Sequence, residues 1–159
     1  MTLYEWLLFL HVLAAFAMIA SSVVFTIATI VLRRTERPRE ALLLFDVVRP
    51  AGVLIAVGGL GTLVLGIWLA IYLKGYELWD GWIAAALVLW LVTGGTGGRV
   101  GKYYTAARKQ AQALVERGEL EPNAQLTAAL RAGRPVALHA VSVVALLGIL
   151  LLMIFKPGA

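Results

Sequence analysis

Four long apolar runs limit the folds that this chain can adopt. They comprise residues 3–32, 51–73, 82–98 and 136–155 of its 159 residues. A helix needs about 20 apolar residues to cross the hydrocarbon core of a bilayer. All four runs reach about that length, the third only just. The sequence therefore predicts an all-α fold, a four-helix transmembrane bundle with these spans.

Composition agrees with one integral membrane domain over residues 1–159. The chain is 61% hydrophobic and only 14% charged, whereas soluble globular proteins carry about 25% charged residues. The first apolar run is about twice as long as that of a secretory signal and follows no basic region. We therefore expect helix 1 to be retained, and we expect no second domain.

The basic residues predict an orientation. Twelve of the fourteen Lys and Arg residues lie in the segments 33–50 and 99–135, and only Lys74 and Lys156 lie on the opposite side. Loops rich in Lys and Arg remain in the cytoplasm. The sequence thus predicts a multi-pass plasma-membrane protein with both termini outside and residues 33–50 and 99–135 in the cytoplasm.

The charge also bears on partners. Although the formal net charge is +5, acidic residues are mixed with the basic ones beside lipid spans, so anionic lipid headgroups explain the charge better than nucleic acid does. The expected partner is the lipid bilayer, and no nucleic acid is expected. The chain has no cysteine, which excludes disulfides, thiolate metal sites, iron–sulfur clusters and cysteine nucleophiles.

Both basic segments are expected to contain helix. Residues 38–45 read as a short interfacial helix that stops before Pro50, and Asp46 and Arg49, one turn apart, could pair. Apolar residues at helical spacing between residues 99 and 118 predict an amphipathic cytoplasmic extension of helix 3.

Glycine and proline mark the ends of the next elements. We expect Gly118 to end the extension, Pro122 to lie in the first turn of a short helix that reaches Arg131, and helix 4 to begin near Gly133. Aromatic residues near the outer turn should anchor it at headgroup level. These residues are Tyr72, Tyr76, Trp79 and Trp82.

Small residues at intervals of four form a ridge on helix 2, namely Gly58, Thr62, Gly66 and Ala70. Such a ridge lets two helix backbones approach closely in lipid. Contact within one bundle is favoured over a homodimer interface, and both alternatives stay open.

The end of helix 3 carries a second small-residue spacing, Gly94 and Gly98, typical of helix crossings. The run could be mistaken for a phosphate loop, but Thr96 stands at the first glycine position and Tyr103 replaces the required hydroxyl residue. We therefore expect no nucleotide and interpret the run as a flexible or closely packed helix segment.

The two histidines are the ionisable side chains plainly inside spans. Intramembrane ionisable residues are functional candidates, and imidazole is a common haem ligand, so His11 and His139 are candidate cofactor-binding residues. His11 shares a helix face with Ala14, Ala15 and Met18. The structural alternative for each histidine is a neutral imidazole bonded to a hydroxyl or carbonyl.

Depth limits the haem hypothesis. The helical rise places His11 about 8 Å and His139 about 24 Å below the outer boundary. Two imidazoles on one iron must lie close together, because metal–nitrogen bonds are about 2 Å. One haem bridged by both within a monomer is not expected, which leaves a haem on His11 alone, one haem near each face, or ligation across a dimer.

A family resemblance rests on residues 10–15, the basic loops and the glycine-to-arginine end of helix 3. The chain resembles an uncharacterised bacterial family of four-helix predicted integral membrane proteins. More distantly, it is similar to the membrane domain of copper-resistance D proteins and to the haem-linked protoporphyrinogen oxidase family. The latter resemblance implies that His11 binds haem b, although Ser21 and Ser22 stand where that family has a glycine-rich stretch.

Three functions follow. The first is a haem-binding or redox accessory role through His11. The second is a nonenzymatic assembly or scaffold subunit, in a homodimer or with a membrane-protein partner. The third is a small oligomeric channel or transporter, which would lack intramembrane charge. Its polar path would use the hydroxyl residues Ser21, Thr62, Thr93, Thr96 and Ser142. The sequence contains no evident nucleophile and base pair, which favours a protein that is not an enzyme.

Overall fold

The computed structural model describes residues 2–73, 77 and 79–158, and within them the fold is all-α. The helices are α1 (Leu3–Leu32), α2 (Pro38–Tyr72), α3 (Gly81–Glu116), α4 (Ala124–Arg131) and α5 (Gly133–Phe155). Helices α1, α2 and α3, and the run from α4 through α5, are long and apolar enough to cross a membrane. The predicted four-helix all-α class is confirmed. Lys74 and Tyr76 lie outside the described residues.

The four long helices run back and forth between two ends. We call the end that holds Thr2 and Phe155 the terminal end, and the end that holds residues 33–37 and 117–132 the basic end. Helix α1 packs mainly against α2, and α3 against α5, while α2 and α3 join the two pairs. Contact between α1 and α5 is sparse, which leaves space between the pairs.

Local signals explain where several helices begin and end. At the start of α1, the Thr2 side chain accepts from the Glu5 N–H at 3.3 Å and the Glu5 carboxylate accepts from the Thr2 N–H at 2.7 Å, a capping box. After α3, Gly118 has a φ of 75°, which glycine adopts readily. The Asn123 side chain caps α4 by accepting from the Leu126 N–H at 3.0 Å.

Helix α2 corrects one prediction. It begins at Pro38 and continues through Pro50 to Tyr72, so the predicted break before Pro50 is wrong. Proline deprives the Asp46 carbonyl of its helical hydrogen bond, but Asp46 and Pro50 are exposed. On the covered face, Val48 and Ala51 form a buried cluster with Ala28 of α1. Packing on both sides of the proline thus holds the helix together.

The predicted extension of helix 3 is present. Helix α3 has 36 residues, about 54 Å at the helical rise, and the hydrocarbon core is only about 30 Å thick. Its last turns bury Ala107, Ala111 and Leu114. The predicted short helix is also present as α4, and α5 begins at Gly133 as expected.

The basic end has its own hydrophobic core between α1, α2, α3 and α4. Its buried members are Leu32, Ala41, Phe45, Ala107, Ala111, Leu114, Leu126 and Leu130. Polar contacts surround this core: Arg131 pairs with Glu36 at 2.7 Å, and Arg33 donates to the Ala132 carbonyl at 3.1 Å. Asp46 pairs with Arg108 of α3 at 2.7 Å, and not with Arg49 as predicted, because α3 packs beside this part of α2.

Candidate functional site

A cavity of about 570 Å³ lies between the four long helices in the terminal half of the bundle. Its wall is mostly aliphatic and aromatic, and it extends along α1 from Tyr4 to Ile19. The cavity occupies the space left by the sparse contact between α1 and α5. Concave, mostly apolar sites with few polar groups are where proteins bind small molecules.

His11 is the one titratable group in the middle of this wall. A β-carbon at Gly66 of α2 would lie 2.9 Å from Cε1 and 3.3 Å from Nδ1 of His11, so a larger residue at this position would force the imidazole to shift. The ring also lies beside the backbone of Thr62. The Nδ1 atom itself is buried, and no atom in the described part of the chain meets hydrogen-bond geometry with it.

Sulfur and indole groups line the same cavity. Met18 and Met153 contribute thioethers, and Trp82 and Trp90 contribute indole rings. Trp90 is fixed across the bundle because its Nε1 donates to the Gly59 carbonyl of α2 at 3.1 Å. The wall therefore offers aromatic surfaces and soft sulfur atoms around one imidazole.

A lysine lies at the terminal end of the cavity. Lys156 follows α5 with a φ of 39°, and its Nζ lies 5.8 Å from the centroid of the Trp82 ring. Both residues line the cavity. A cation over an indole face is a favourable contact, so Lys156 and Trp82 pack together at the terminal end of the cavity.

His139 lies elsewhere and has a partner. Its Nε2 is 2.9 Å from the Thr26 hydroxyl, which also lies 2.9 Å from the Ser22 carbonyl as a donor. When Thr26 donates to Ser22, its oxygen accepts from the Nε2–H of His139. The residue is absent from the cavity wall, and this arrangement matches the structural alternative.

The structure does not bring the two histidines together. His139 contacts Thr26, which follows His11 on α1 by fifteen residues, or about 22 Å at the helical rise. A single haem bound by both histidines of one chain is therefore excluded, in agreement with the depth argument.

The predicted ridge of α2 faces α1 and the cavity. A β-carbon at Gly58 would lie 2.8 Å from the Ala14 carbonyl oxygen, Gly66 faces His11, and Thr62 and Ala70 line the cavity. The ridge is thus occupied within the chain. By contrast, a β-carbon at Gly94 or Gly98 of α3 would meet no atom within 4 Å among the described residues, its own stretch of helix aside.

Four of the five hydroxyl residues proposed for a polar path are bonded to their own helices or to one another. Thr62 donates to the Gly58 carbonyl at 2.7 Å, and Thr93 to the Leu89 carbonyl at 2.9 Å. The Thr96 and Ser142 hydroxyls lie 2.6 Å apart and link α3 to α5. Ser21 is buried. Among these residues, Thr62 alone lines the cavity.

Sequence reasoning did not identify Trp82, Trp90 and Lys156 as neighbours of His11. They come from α3 and from the end of α5, and nothing in their spacing relates them to helix 1. Met18 was detectable, because it lies seven residues after His11 on the same helix face.

A comparison with known families bears on the whole chain. The family model described as "Predicted integral membrane protein (DUF2269)" matches residues 5–157. No curated protein and no solved structure matches the chain. The match supports the resemblance to a family of predicted integral membrane proteins, whereas the two more distant resemblances stay predictions.

Proposed function

We propose that this chain, which belongs to the DUF2269 family of predicted integral membrane proteins, binds a largely apolar molecule within the membrane beside His11. The observation that carries this proposal is a buried imidazole nitrogen on the wall of an apolar cavity, for which the described residues supply no hydrogen-bond partner. Buried polar atoms are nearly always bonded. A bound molecule would supply the hydrogen bond to His11 Nδ1 that the described residues do not.

The cavity has the dimensions and composition of a ligand site. Small-molecule sites measure roughly 300–1,000 Å³ and have apolar walls with few polar groups, and this cavity measures about 570 Å³. Gly66 leaves room for the ring where any larger residue would collide with it. The arrangement is therefore suited to holding His11 at the wall.

Haem b is the specific candidate, and the donor set fits it. His11 would supply an imidazole ligand to the iron, and the thioethers of Met18 and Met153 would lie in the same cavity wall. Haem supplies one-electron redox chemistry when bound. The apolar wall would exclude water, and Trp82 and Trp90 would provide aromatic surfaces. This assignment leads to a redox accessory role.

Absorption spectra test the haem assignment. Protein purified in detergent after expression with haem supplied would be recorded oxidised and dithionite-reduced, for the parent and for His11→Ala. We expect a haem band that shifts on reduction and is lost in His11→Ala. His139→Ala is the matched control and should keep the band, because His139 does not line the cavity. A colourless parent would refute haem.

A role in assembly is the second candidate, and the open glycine face of α3 favours it. Residues Gly94 and Gly98 contact nothing within 4 Å at their β positions, so another helix could approach closely there. The ridge of α2 is occupied by α1, so α3 replaces it as the candidate contact surface. The partner would be a second copy or another membrane protein.

Crosslinking in native membranes tests assembly. Gly98→Leu should abolish a crosslinked oligomer and leave folding intact, because its side chain has space in the single chain. Gly66→Leu should damage the fold instead, since its side chain would collide with His11. An oligomer that survives Gly98→Leu, or no oligomer in the parent, would count against this role.

The proposed orientation places the basic end in the cytoplasm of the plasma membrane. Excess Lys and Arg in residues 33–50 and 99–135 supports it. Because the chain has no cysteine, single replacements report the side directly. In intact cells, an impermeant maleimide should label Gly158→Cys but not Lys109→Cys, and the reverse pattern would invert the topology.

A further inference from the structure

The cavity is open toward one side of the bundle. Among the described residues of its wall, the exposed ones all lie on α1 and α5, whereas the wall residues of α2 and α3 are buried or half-buried. The exposed wall residues, which we call the rim, are Leu8, Val12, Phe16 and Leu150. Phe16 is 65% exposed and Leu150 is 42% exposed. The opening of the cavity therefore lies between α1 and α5.

The rim residues of α1 form one stripe. Leu8, Val12 and Phe16 recur at intervals of four, which places them on the same face of a helix. His11 and Ala15 also line the cavity but are only half-buried and not exposed. The stripe thus borders the cavity on one side and the outside of the bundle on the other.

Leu150 lies across the opening from this stripe. The hydrogen bond between Thr26 and His139 fixes the register of the antiparallel helices α1 and α5. Eleven residues from this pair toward the terminal end are Ala15 on α1 and Leu150 on α5, about 16 Å away at the helical rise. Leu150 is therefore level with the stripe on α1.

The other seams between neighbouring long helices are closed by direct contacts. Between α1 and α2, a β-carbon at Gly58 would lie 2.8 Å from the Ala14 carbonyl oxygen. Between α2 and α3, the Trp90 indole donates to a carbonyl of α2 at 3.1 Å. Between α3 and α5, a β-carbon at Gly148 would lie 2.9 Å from Cδ1 of Leu89. The opening lies at the seam where contact is sparse.

The opening faces hydrocarbon. Its rim residues lie in the apolar spans that contain α1 and α5, and their side chains are aliphatic or aromatic. A polar molecule that took this route would lose its hydration without compensation. A molecule dissolved in the bilayer would meet the opening directly.

We infer that the molecule bound beside His11 is a lipid-soluble one, which enters the cavity sideways from the bilayer between Phe16 of α1 and Leu150 of α5. The inference rests on the proposed binding function and adds the class of the ligand and the side from which it comes. The sparse contact between α1 and α5 is then the entry route, and the packed seams hold the rest of the wall in place.

Tryptophan quenching can follow the entry of a probe. Trp6, Trp68 and Trp79 are exposed, and their replacement by Phe leaves Trp82 and Trp90, which line the cavity. Bromine quenches indole fluorescence on contact. Brominated methyl stearate, added to this three-Phe parent in lipid nanodiscs, dissolves in the bilayer and reports its arrival at the two indoles.

Closing the opening should slow this quenching. The chain has no cysteine, so Phe16→Cys combined with Leu150→Cys can be bridged by a flexible bis-maleimide. The bridge should slow quenching about tenfold or more, because the packed seams open only by local unfolding, and it should leave the final extent unchanged. The same protein with each cysteine capped separately should be quenched as fast as the three-Phe parent.

A bridge elsewhere between the same two helices is the matched control. Thr26→Cys combined with His139→Cys joins α1 to α5 where the original side chains are hydrogen-bonded, away from the cavity wall, and should leave the rate unchanged. Equal slowing by both bridges, or no slowing by the first, would overturn entry between α1 and α5 and leave the binding function intact. Absence of quenching in the three-Phe parent at equilibrium would overturn both.

Discussion

The two ends of the bundle are packed differently. At the basic end, side chains from α1, α2, α3 and α4 close into a core in which Ala41, Ala111 and Leu126 are 0% exposed. At the terminal end, α1, α2, α3 and α5 leave a cavity of about 570 Å³ between them. One end is filled by the chain itself, and the other has room for something else.

The difference in packing follows from the surroundings of each end. Helix α3 is longer than the hydrocarbon core is thick, so one part of it must lie outside the hydrocarbon. The Lys and Arg residues favour the basic end for that part, where water lets the hydrophobic effect bury a core. Within the bilayer, apolar side chains gain little free energy when they leave the lipid for the protein interior. Close packing of helices there depends on small residues and on hydrogen bonds between helices. Such residues join α1 to α2, but few contacts join α1 to α5, and the cavity results.

The largest expected difference between the two ends is in the response to loss of a leucine side chain. Leu126→Ala should lower the free energy of unfolding by about 3 kcal/mol, because it empties a closed core. Leu8→Ala is the matched control: Leu8 lines the cavity and is 39% exposed, so its loss should cost less than about 1 kcal/mol. Thermal unfolding in detergent measures both. Equal losses would show that the ends are packed alike.

A second test compares two glycines. Gly58→Ala should destabilise the protein by about 2 kcal/mol, since its β-carbon would lie 2.8 Å from the Ala14 carbonyl oxygen and 2.9 Å from the Met18 nitrogen. Gly97→Ala meets nothing within 4 Å and should stabilise α3 by up to about 1 kcal/mol. A neutral Gly58→Ala would mean that α1 shifts freely on α2.

A smaller loss of stability is expected from removal of a hydrogen bond that joins α3 to α1 near the basic end. Tyr104 donates to the Thr29 hydroxyl at 2.7 Å, because Thr29 itself donates to the Phe25 carbonyl at 2.8 Å. Tyr104→Phe should lower the midpoint of thermal unfolding by an amount equivalent to about 1 kcal/mol. Tyr103→Phe, at an exposed neighbour, should stay within about 0.5 kcal/mol; a larger loss there would discount the hydrogen bond.

The smallest effect concerns the ion pair between Asp46 and Arg108. Their side chains are 49% and 35% exposed, so a double-mutant cycle should give a coupling of about 0.5 kcal/mol that falls with added salt. The cycle of Asp46 with Arg49 is the control and should give about zero. A larger coupling in the control would restore the pairing that the sequence suggested.

Much of the fold was readable from the sequence because the signals are local. The apolar runs predict the four long helices, Gly118 ends α3 by its positive φ, and the periodicity after Arg99 predicts the extension of α3. Pro50 was misread, because its local effect on the helix is outweighed by the contacts of Val48 and Ala51 with α1. Such contacts join residues distant in the chain.

Only part of the candidate site could be predicted from the sequence. Composition and spacing identified His11 and the small residues that face it on α2, since an intramembrane imidazole and a glycine ridge are visible in one dimension. They gave His139 equal standing, although it bonds to Thr26 outside the cavity. They could not show that Gly66 accommodates the His11 ring.

The amino-acid sequence is enough to specify four apolar helices with a basic end, because hydrophobicity and charge act on each segment separately. The position of the cavity beside His11, with Trp82, Trp90 and Lys156 in its wall, depends on how the helices pack. Those residues meet because α1 pairs with α2 and α3 with α5. The pairing depends on the fit of whole helix surfaces, which no single segment encodes.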